Sequence, residues 1–297
     1  MDRDVHDPLS VLIARRGAAV LDGGLATELE ARGLDLNHPL WSARAIADAP
    51  EIVEAVHRDY LEAGADVVTS ATYQAPVPLI APGVAIALRA RDAFASGADR
   101  PLVAASLGPY GASLADGSEY RGDYGLSIEA LADWHRPRVR AAEETGADVL
   151  AFETIPSGVE VEAIARVLGE RDGLPVWISF QARDGSALAD GTPVEAAATT
   201  ADRATRVIAV GVNCVAPERV VPLLRRLASA TKKPLVAYPN RGDAWDATRR
   251  NWIVRGDSVD LGALAPLWRD AGARLIGGCC RTTPGDVAAI RRALAAA

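Results

Sequence analysis

Only three cysteines and four histidines occur in 297 residues. So sparse and odd a set of cysteines argues against a disulfide framework and turns attention to where those three sit. The histidines, His6, His38, His57 and His135, include no H-x-H or H-E-x-x-H spacing, which weighs against a metallohydrolase that gathers several imidazoles at one barrel mouth. No segment approaches 18 uninterrupted apolar residues, so a membrane-spanning helix is not expected. The opening MDRDVHDPLSVLIARRGAAV puts acidic residues where a signal peptide needs basic ones and has no adequate apolar stretch. These features predict a soluble, cytoplasmic protein without a membrane partner. The 32 Lys and Arg residues form no run that could track phosphates, and the formal net charge is -7, so no nucleic-acid partner is expected. No Pro/Ser/Gly linker or low-complexity block divides the chain, which predicts one domain over residues 1–297.

What the chain does contain is a regular alternation. Short apolar runs read as strands: AAVLDGG (18–24), ADVVTSA (65–71), PLVAASLGP (101–109), ADVLAFETIP (147–156), LPVWISF (174–180), RVIAVGVNC (206–214), PLVAYPN (234–240) and ARLIGGCC (273–280). Between them lie helical stretches with 3.6-residue periodicity, among them 51–64, 128–146, 217–230 and 260–272, several closed by Gly. Strand then helix, eight times over, predicts an α/β fold of the (β/α)8 TIM-barrel type. The competing doubly wound sheet usually carries a G-x-G-x-x-G fingerprint after its first strand, and DGGLATE lacks that spacing.

In such a barrel the active site forms at the C-terminal ends of the strands. There the chain places Asp22-Gly23-Gly24, Ser70-Ala71-Thr72-Tyr73-Gln74, Glu153-Thr154, Asn213-Cys214, Pro239-Asn240 and Gly277-Gly278-Cys279-Cys280. Barrel closure brings Cys214, Cys279 and Cys280 to one face although 64 residues separate the first two. Three thiolates suit a tetrahedral zinc ion with one position left open for substrate. Buried cysteines acting as small hydrophobes, or an oxidised adjacent pair, are the other readings that spacing permits.

GVNC (211–214) together with GGCCRTTP (277–284) resembles the zinc signature of the homocysteine S-methyltransferase family. The resemblance runs through DGGLATELEARG (22–33), LWSA (40–43), HRDYLEAGADVVTSATYQA (57–75), SLGPYGASLADGSEYRGDYG (106–125), FETIPS (152–157), ADGTP (189–193) and YPNRGDAWD (238–246). These stretches are similar to the branch that uses S-methylmethionine or S-adenosylmethionine. The family likeness implies one Zn²⁺ per chain on Cys214, Cys279 and Cys280. It also implies that Asp22 and Glu153 bind the homocysteine ammonium, and that Gly23 and the Ala71-Thr72 segment give backbone donors to its carboxylate. Asn240 is expected beside the zinc as a hydrogen-bonding neighbour, and residues 110–124 as a mobile cover over the donor. The implied partners are small molecules, homocysteine and a sulfonium donor, with the chain itself a monomer or a homodimer. The alternative is a thiol-binding barrel serving a cobalamin- or folate-dependent system. One departure stands out: APVPLIAPGVAIALRARDA after Gln74 is shorter than in the family, which predicts a truncated or differently packed helix over 83–96.

Overall fold

Parallel strands buried on both faces need near-continuous apolar runs, and the eight runs of this chain form such strands in a computed structural model that describes residues 7–36, 38, 40–95, 97, 100–246, 251–253 and 259–296. They are β1 (Ala19–Val20), β2 (Val67–Thr69), β3 (Leu102–Leu107), β4 (Val149–Ile155), β5 (Val176–Phe180), β6 (Val207–Asn213), β7 (Leu235–Tyr238) and, after a small antiparallel hairpin of β8 (Ala244–Asp246) and β9 (Asn251–Ile253), the last barrel strand β10 (Ala273–Ile276). The sheet order is β1-β10-β7-β6-β5-β4-β3-β2, all parallel. A parallel bridge between Leu21 and Val67, with bonds from Asp22 N to Val67 O at 3.1 Å and from Asp66 N to Val20 O at 2.7 Å, closes it into a barrel.

Alternation along the strands divides the core in two. Ala19, Leu21, Val67, Ala104, Val149, Ala151, Trp177, Ala209, Val236, Tyr238 and Leu275 cluster in the lumen, with Leu9 from the helix Pro8–Arg16 packed among them. The intervening residues, such as Val68, Val103, Leu150, Phe152, Ile178 and Val210, meet the surrounding helices in the larger core. Continuing the lumen parity by two residues toward the strand ends reaches Thr69, Ser106, Glu153 and Ser179, and by four from Ala209 it reaches Asn213. The same alternation that fills the barrel with aliphatic groups therefore makes its top layer polar.

Of the helices, Pro50–Glu62, Ile128–Glu143, Pro217–Ala230 and Leu261–Asp270 lie within two or three residues of the predicted bounds. Gly64, Gly146 and Gly272 follow three of them with φ of 101°, 86° and 109°, a conformation in which a Cβ is strained. The helix after β2 corrects the expectation of truncation: it is an intact 18-residue element, Val77–Phe94. Pro78 sits in the first turn, where a backbone N–H has no helical acceptor anyway. Pro82 does interrupt the ladder, and burial of Ile80, Val84, Ile86, Ala87 and Ala90 offsets that cost. No described helix is long and apolar enough to cross a membrane.

Candidate functional site

The C-terminal ends of the strands open into a cavity of about 410 Å³. Its floor is a joint between the first and last strand ends. Gly24 N donates to Thr282 Oγ1 at 3.1 Å, Gly278 N to Asp22 O at 3.0 Å, and Arg281 N to Thr27 Oγ1 at 2.9 Å. A Cβ on Gly24 would stand 2.8 Å from the Cys279 carbonyl oxygen, and one on Gly278 would collide with the Thr282 side chain. DGGLAT and GGCCRTT are thus two halves of one interlocked turn, with glycine required by close approach.

That joint and the end of β6 bring the cysteines together. The Cys214 and Cys280 sulfurs are 3.4 Å apart, those of Cys279 and Cys280 4.0 Å, and all three lie within 4.8 Å of one another. They are the sole group of potential metal ligands among the described residues. Tetrahedral Zn–S bonds of about 2.3 Å place their sulfurs roughly 3.8 Å apart, so the observed spacing suits that ion. The thiols ionise as a set. Cys214 is held well below the usual thiol range by bonds from Cys279 and then Cys280, and these two are pushed well above it, first by their bonds to Cys214. A cation among the three sulfurs would offset the repulsion that opposes ionising more than one of them.

Asp22 and Glu153 face the same cavity. Burial pushes Asp22 well above the carboxylate range, against bonds from Thr69 N at 2.7 Å and Thr69 Oγ1 at 3.0 Å and with some repulsion from Glu153. Burial likewise raises Glu153 to about 7, opposed by the bond its Oε1 accepts from Ser106 Oγ. Neither makes an ion pair with a described residue, and the lining contains no Lys or Arg. Two enclosed carboxylates without a counter-ion make a corner for a ligand cation. Gly23 and Ala71 also line the cavity, and among the described residues neither amide N–H has a backbone partner.

The Thr72 side chain is fully buried in the wall, donating to Ser106 O at 2.7 Å, while its backbone N–H, the donor that the family likeness implies, has no backbone partner among the described residues. Asn240 reaches the Cys214 carbonyl at 3.5 Å and accepts from Gly242 N at 2.8 Å, touching no sulfur. The amide that does approach sulfur is Asn213, whose Nδ2 lies 3.9 Å from Cys279 Sγ and donates to Thr154 Oγ1 at 2.8 Å, while Oδ1 accepts from Thr154 N at 2.7 Å and Ser179 Oγ at 2.9 Å. Lumen parity could have singled it out. Asn213 thereby braces Thr154 at φ 61°, next to Glu153. Of the five described non-glycine residues with positive φ, Trp41, Ala115, Thr154 and Cys214 line the cavity and Arg281 follows Cys280. Backbone strain collects where chemistry does.

The cover over residues 110–124 is folded, with a short helix Tyr110–Leu114 and a 3-10 turn Ser118–Tyr120. Tyr110 N donates to Glu160 Oε1 at 2.6 Å, and Tyr110 packs edge-on against Tyr124 and Trp134. Its inner side brings Glu119 and Tyr120 into the cavity, with Tyr120 OH 3.9 Å from Cys214 Sγ. Trp41 and Tyr73, 6.4 Å apart and edge to face, complete an aromatic wall. Nothing in the pattern of a turn announces which of its side chains will point inward, so sequence missed Glu119 and Tyr120. His57 and His135 are buried in helices outside this cavity; His6 lies outside the described residues.

Residues 19–294 match the family model described as homocysteine S-methyltransferase. A homocysteine S-methyltransferase of Escherichia coli is 44% identical over 96% of this chain and 98% of its own length. Homocysteine S-methyltransferase YbgG of Bacillus subtilis is 42% identical over 95% of this chain and 96% of its own. The metallated form of the homocysteine methyltransferase MmuM from Escherichia coli superposes with a TM-score of 0.87 at 42% identity, covering 96% of this chain and 99% of that one.

Proposed function

The chain belongs to the homocysteine S-methyltransferase family, and from that premise we propose that it transfers a methyl group from S-methylmethionine or S-adenosylmethionine to homocysteine, giving methionine, with zinc held by Cys214, Cys279 and Cys280. One observation carries this reading: three sulfurs at tetrahedral spacing share a cavity with two enclosed carboxylates that have no counter-ion. Bound zinc would supply the charge that keeps a homocysteine sulfur deprotonated at neutral pH, where a free thiol with a pKa of about 8.5 is mostly protonated.

The chain's own groups do the rest. Asp22 and Glu153 take the homocysteine ammonium, whose positive charge offsets the burial that raises both. The Gly23 and Ala71 amides meet the carboxylate. A C–S bond then forms at the homocysteine sulfur as the bond from the methyl to the sulfonium sulfur breaks, and the electron pair stays on the departing thioether. Charge is neutralised and no proton moves in that step, so alignment within the enclosed cavity provides much of the acceleration. His38 is the one histidine in the cavity lining among the described residues, and its Nδ1 already accepts from Leu40 N at 3.1 Å.

The test is methionine formation from L-homocysteine and S-methylmethionine by zinc-loaded protein, with S-adenosylmethionine in a parallel arm and a chelator added to each. Turnover that the chelator abolishes and zinc restores is the expected result. Zinc-replete protein inert with both donors would overturn the reading.

A further inference from the structure

We propose that the Glu119 carboxylate is the counter-charge for the cationic methyl donor, so that the cavity selects a sulfonium over the neutral thioether left after transfer. The inference rests on the methyl-transfer reading above and assigns the second substrate a residue of its own.

Glu119 lines the cavity from the 3-10 turn Ser118–Tyr120, and the next residue, Tyr120, reaches Cys214 Sγ. Its Oε2 is shielded from solvent without a hydrogen-bond partner. Burial raises the group to about 7, opposed first by its own backbone amide and last by Arg121, with Asp116 adding to the rise. Arg121 is engaged with Ser118 Oγ at 2.7 Å and Asp116 at 3.6 Å, and its side chain is 54% exposed. The cover therefore brings a carboxylate into an enclosed space and leaves it uncompensated, which is costly unless a ligand supplies the positive charge.

The other acids of the lining are accounted for. Asp22 and Glu153, on strand ends beside the cysteines, serve the acceptor ammonium. Asp116 accepts from Ser118 N at 2.9 Å and pairs with Arg121. Glu30 and Asp35 are exposed, so solvent stabilises their charge. Glu119 is left for the second substrate, and what distinguishes that substrate from its product is the positive sulfur. The attraction is fullest before transfer and fades as the charge is neutralised. Glu119 should accordingly strengthen donor binding more than it speeds the methyl step, and it should let the thioether product leave.

The experiment uses zinc-loaded Glu119→Gln, an isosteric change, with zinc content and homocysteine affinity measured first. The expected result is one zinc per chain, a homocysteine KM within about twofold of the parent, and a donor KM raised about ten- to a hundred-fold with a smaller change in kcat, as for loss of one close charge–charge contact in an enclosed site. Glu119→Asp, which keeps the charge on a shorter arm, should fall between. An unchanged donor KM, or equal rises for both substrates, would overturn the proposal. Equilibrium binding separates this proposal from the reaction itself. If the parent protein turns over neither sulfonium, it should still bind S-methylmethionine more tightly than methionine, with the ratio collapsing in Glu119→Gln; equal ratios in the two proteins would refute Glu119 as the counter-charge.

Discussion

The cavity has two walls, one made of strand ends and one made of connecting segments, and they are held in different ways. Asp22, Glu153, Asn213 and Cys214 stand on or beside β1, β4 and β6, each no more than 9% exposed and fixed by backbone or buried amide contacts. Facing them, Trp41 lies in the 3-10 turn Trp41–Arg44 and Glu119 and Tyr120 in another of three residues, all partly exposed. The barrel ladder over-determines the first wall; the second depends on a few side-chain contacts such as Tyr110 with Glu160. A reaction that activates a thiol needs the rigid wall for metal and acceptor, and a donor can be chosen on the segments that sequence change alters most readily.

If the walls divide the work in this way, substitutions should separate their effects. The largest belongs to the metal. Cys280→Ala should abolish zinc retention and lower methionine formation on the order of a thousand-fold or more, as expected when several kcal/mol of metal assistance are lost. Metal analysis and circular dichroism should show a zinc-free protein that keeps its fold, since Cys280 belongs to neither core cluster; unfolding on zinc loss would make the metal structural instead. Next comes Glu153→Gln, which should raise the homocysteine KM by about a hundred-fold through loss of a buried charge while leaving donor KM and zinc content nearly unchanged. A comparable rise in donor KM would dissolve the distinction between the walls. Glu119→Gln, the converse case, is expected to have the smaller effect because its wall is less enclosed.

The smallest effect on activity should come from neither wall. His57 is fully buried in the helix Pro50–Glu62 with both ring nitrogens unbonded, and burial pushes it down to about 4 from 6.5. Between those values the unfolded chain binds more protons than the folded one, so stability rises with pH across the window and falls as pH drops from 6.5 toward 4. At about 1.4 kcal/mol per unit, this group accounts for roughly 3 kcal/mol of acid destabilisation. Urea titrations at pH 7 and pH 4.5 should show that share missing in His57→Leu, with both KM values unaltered.

The two walls were also unequally legible. Strand positions follow from apolar runs and parity, so the barrel, the three cysteines, Asp22 and Glu153 could be read from the chain, and Asn213 lay within reach of the same parity. The helix Val77–Phe94 was obscured because the expectation rested on the length of this stretch relative to the family, and length does not say whether the residues that remain can still bury a helical face. Thr72 and Asn240 sit at strand ends as expected, but sequence does not tell which group each side chain will meet: Thr72 turns to Ser106 O in the wall and Asn240 to the Cys214 carbonyl. Glu119 and Tyr120 face inward because of a turn whose register is set by tertiary contacts with Glu160 and Pro156, and local sequence carries little of that information.

The account turns on the strand-end wall taking the acceptor as a metal-bound thiolate. Zinc-edge X-ray absorption on the zinc-loaded protein, before and after adding L-homocysteine, tests this most directly. Three sulfur neighbours rising to four is the predicted result; a sulfur count that stays at three while homocysteine is bound would contradict it.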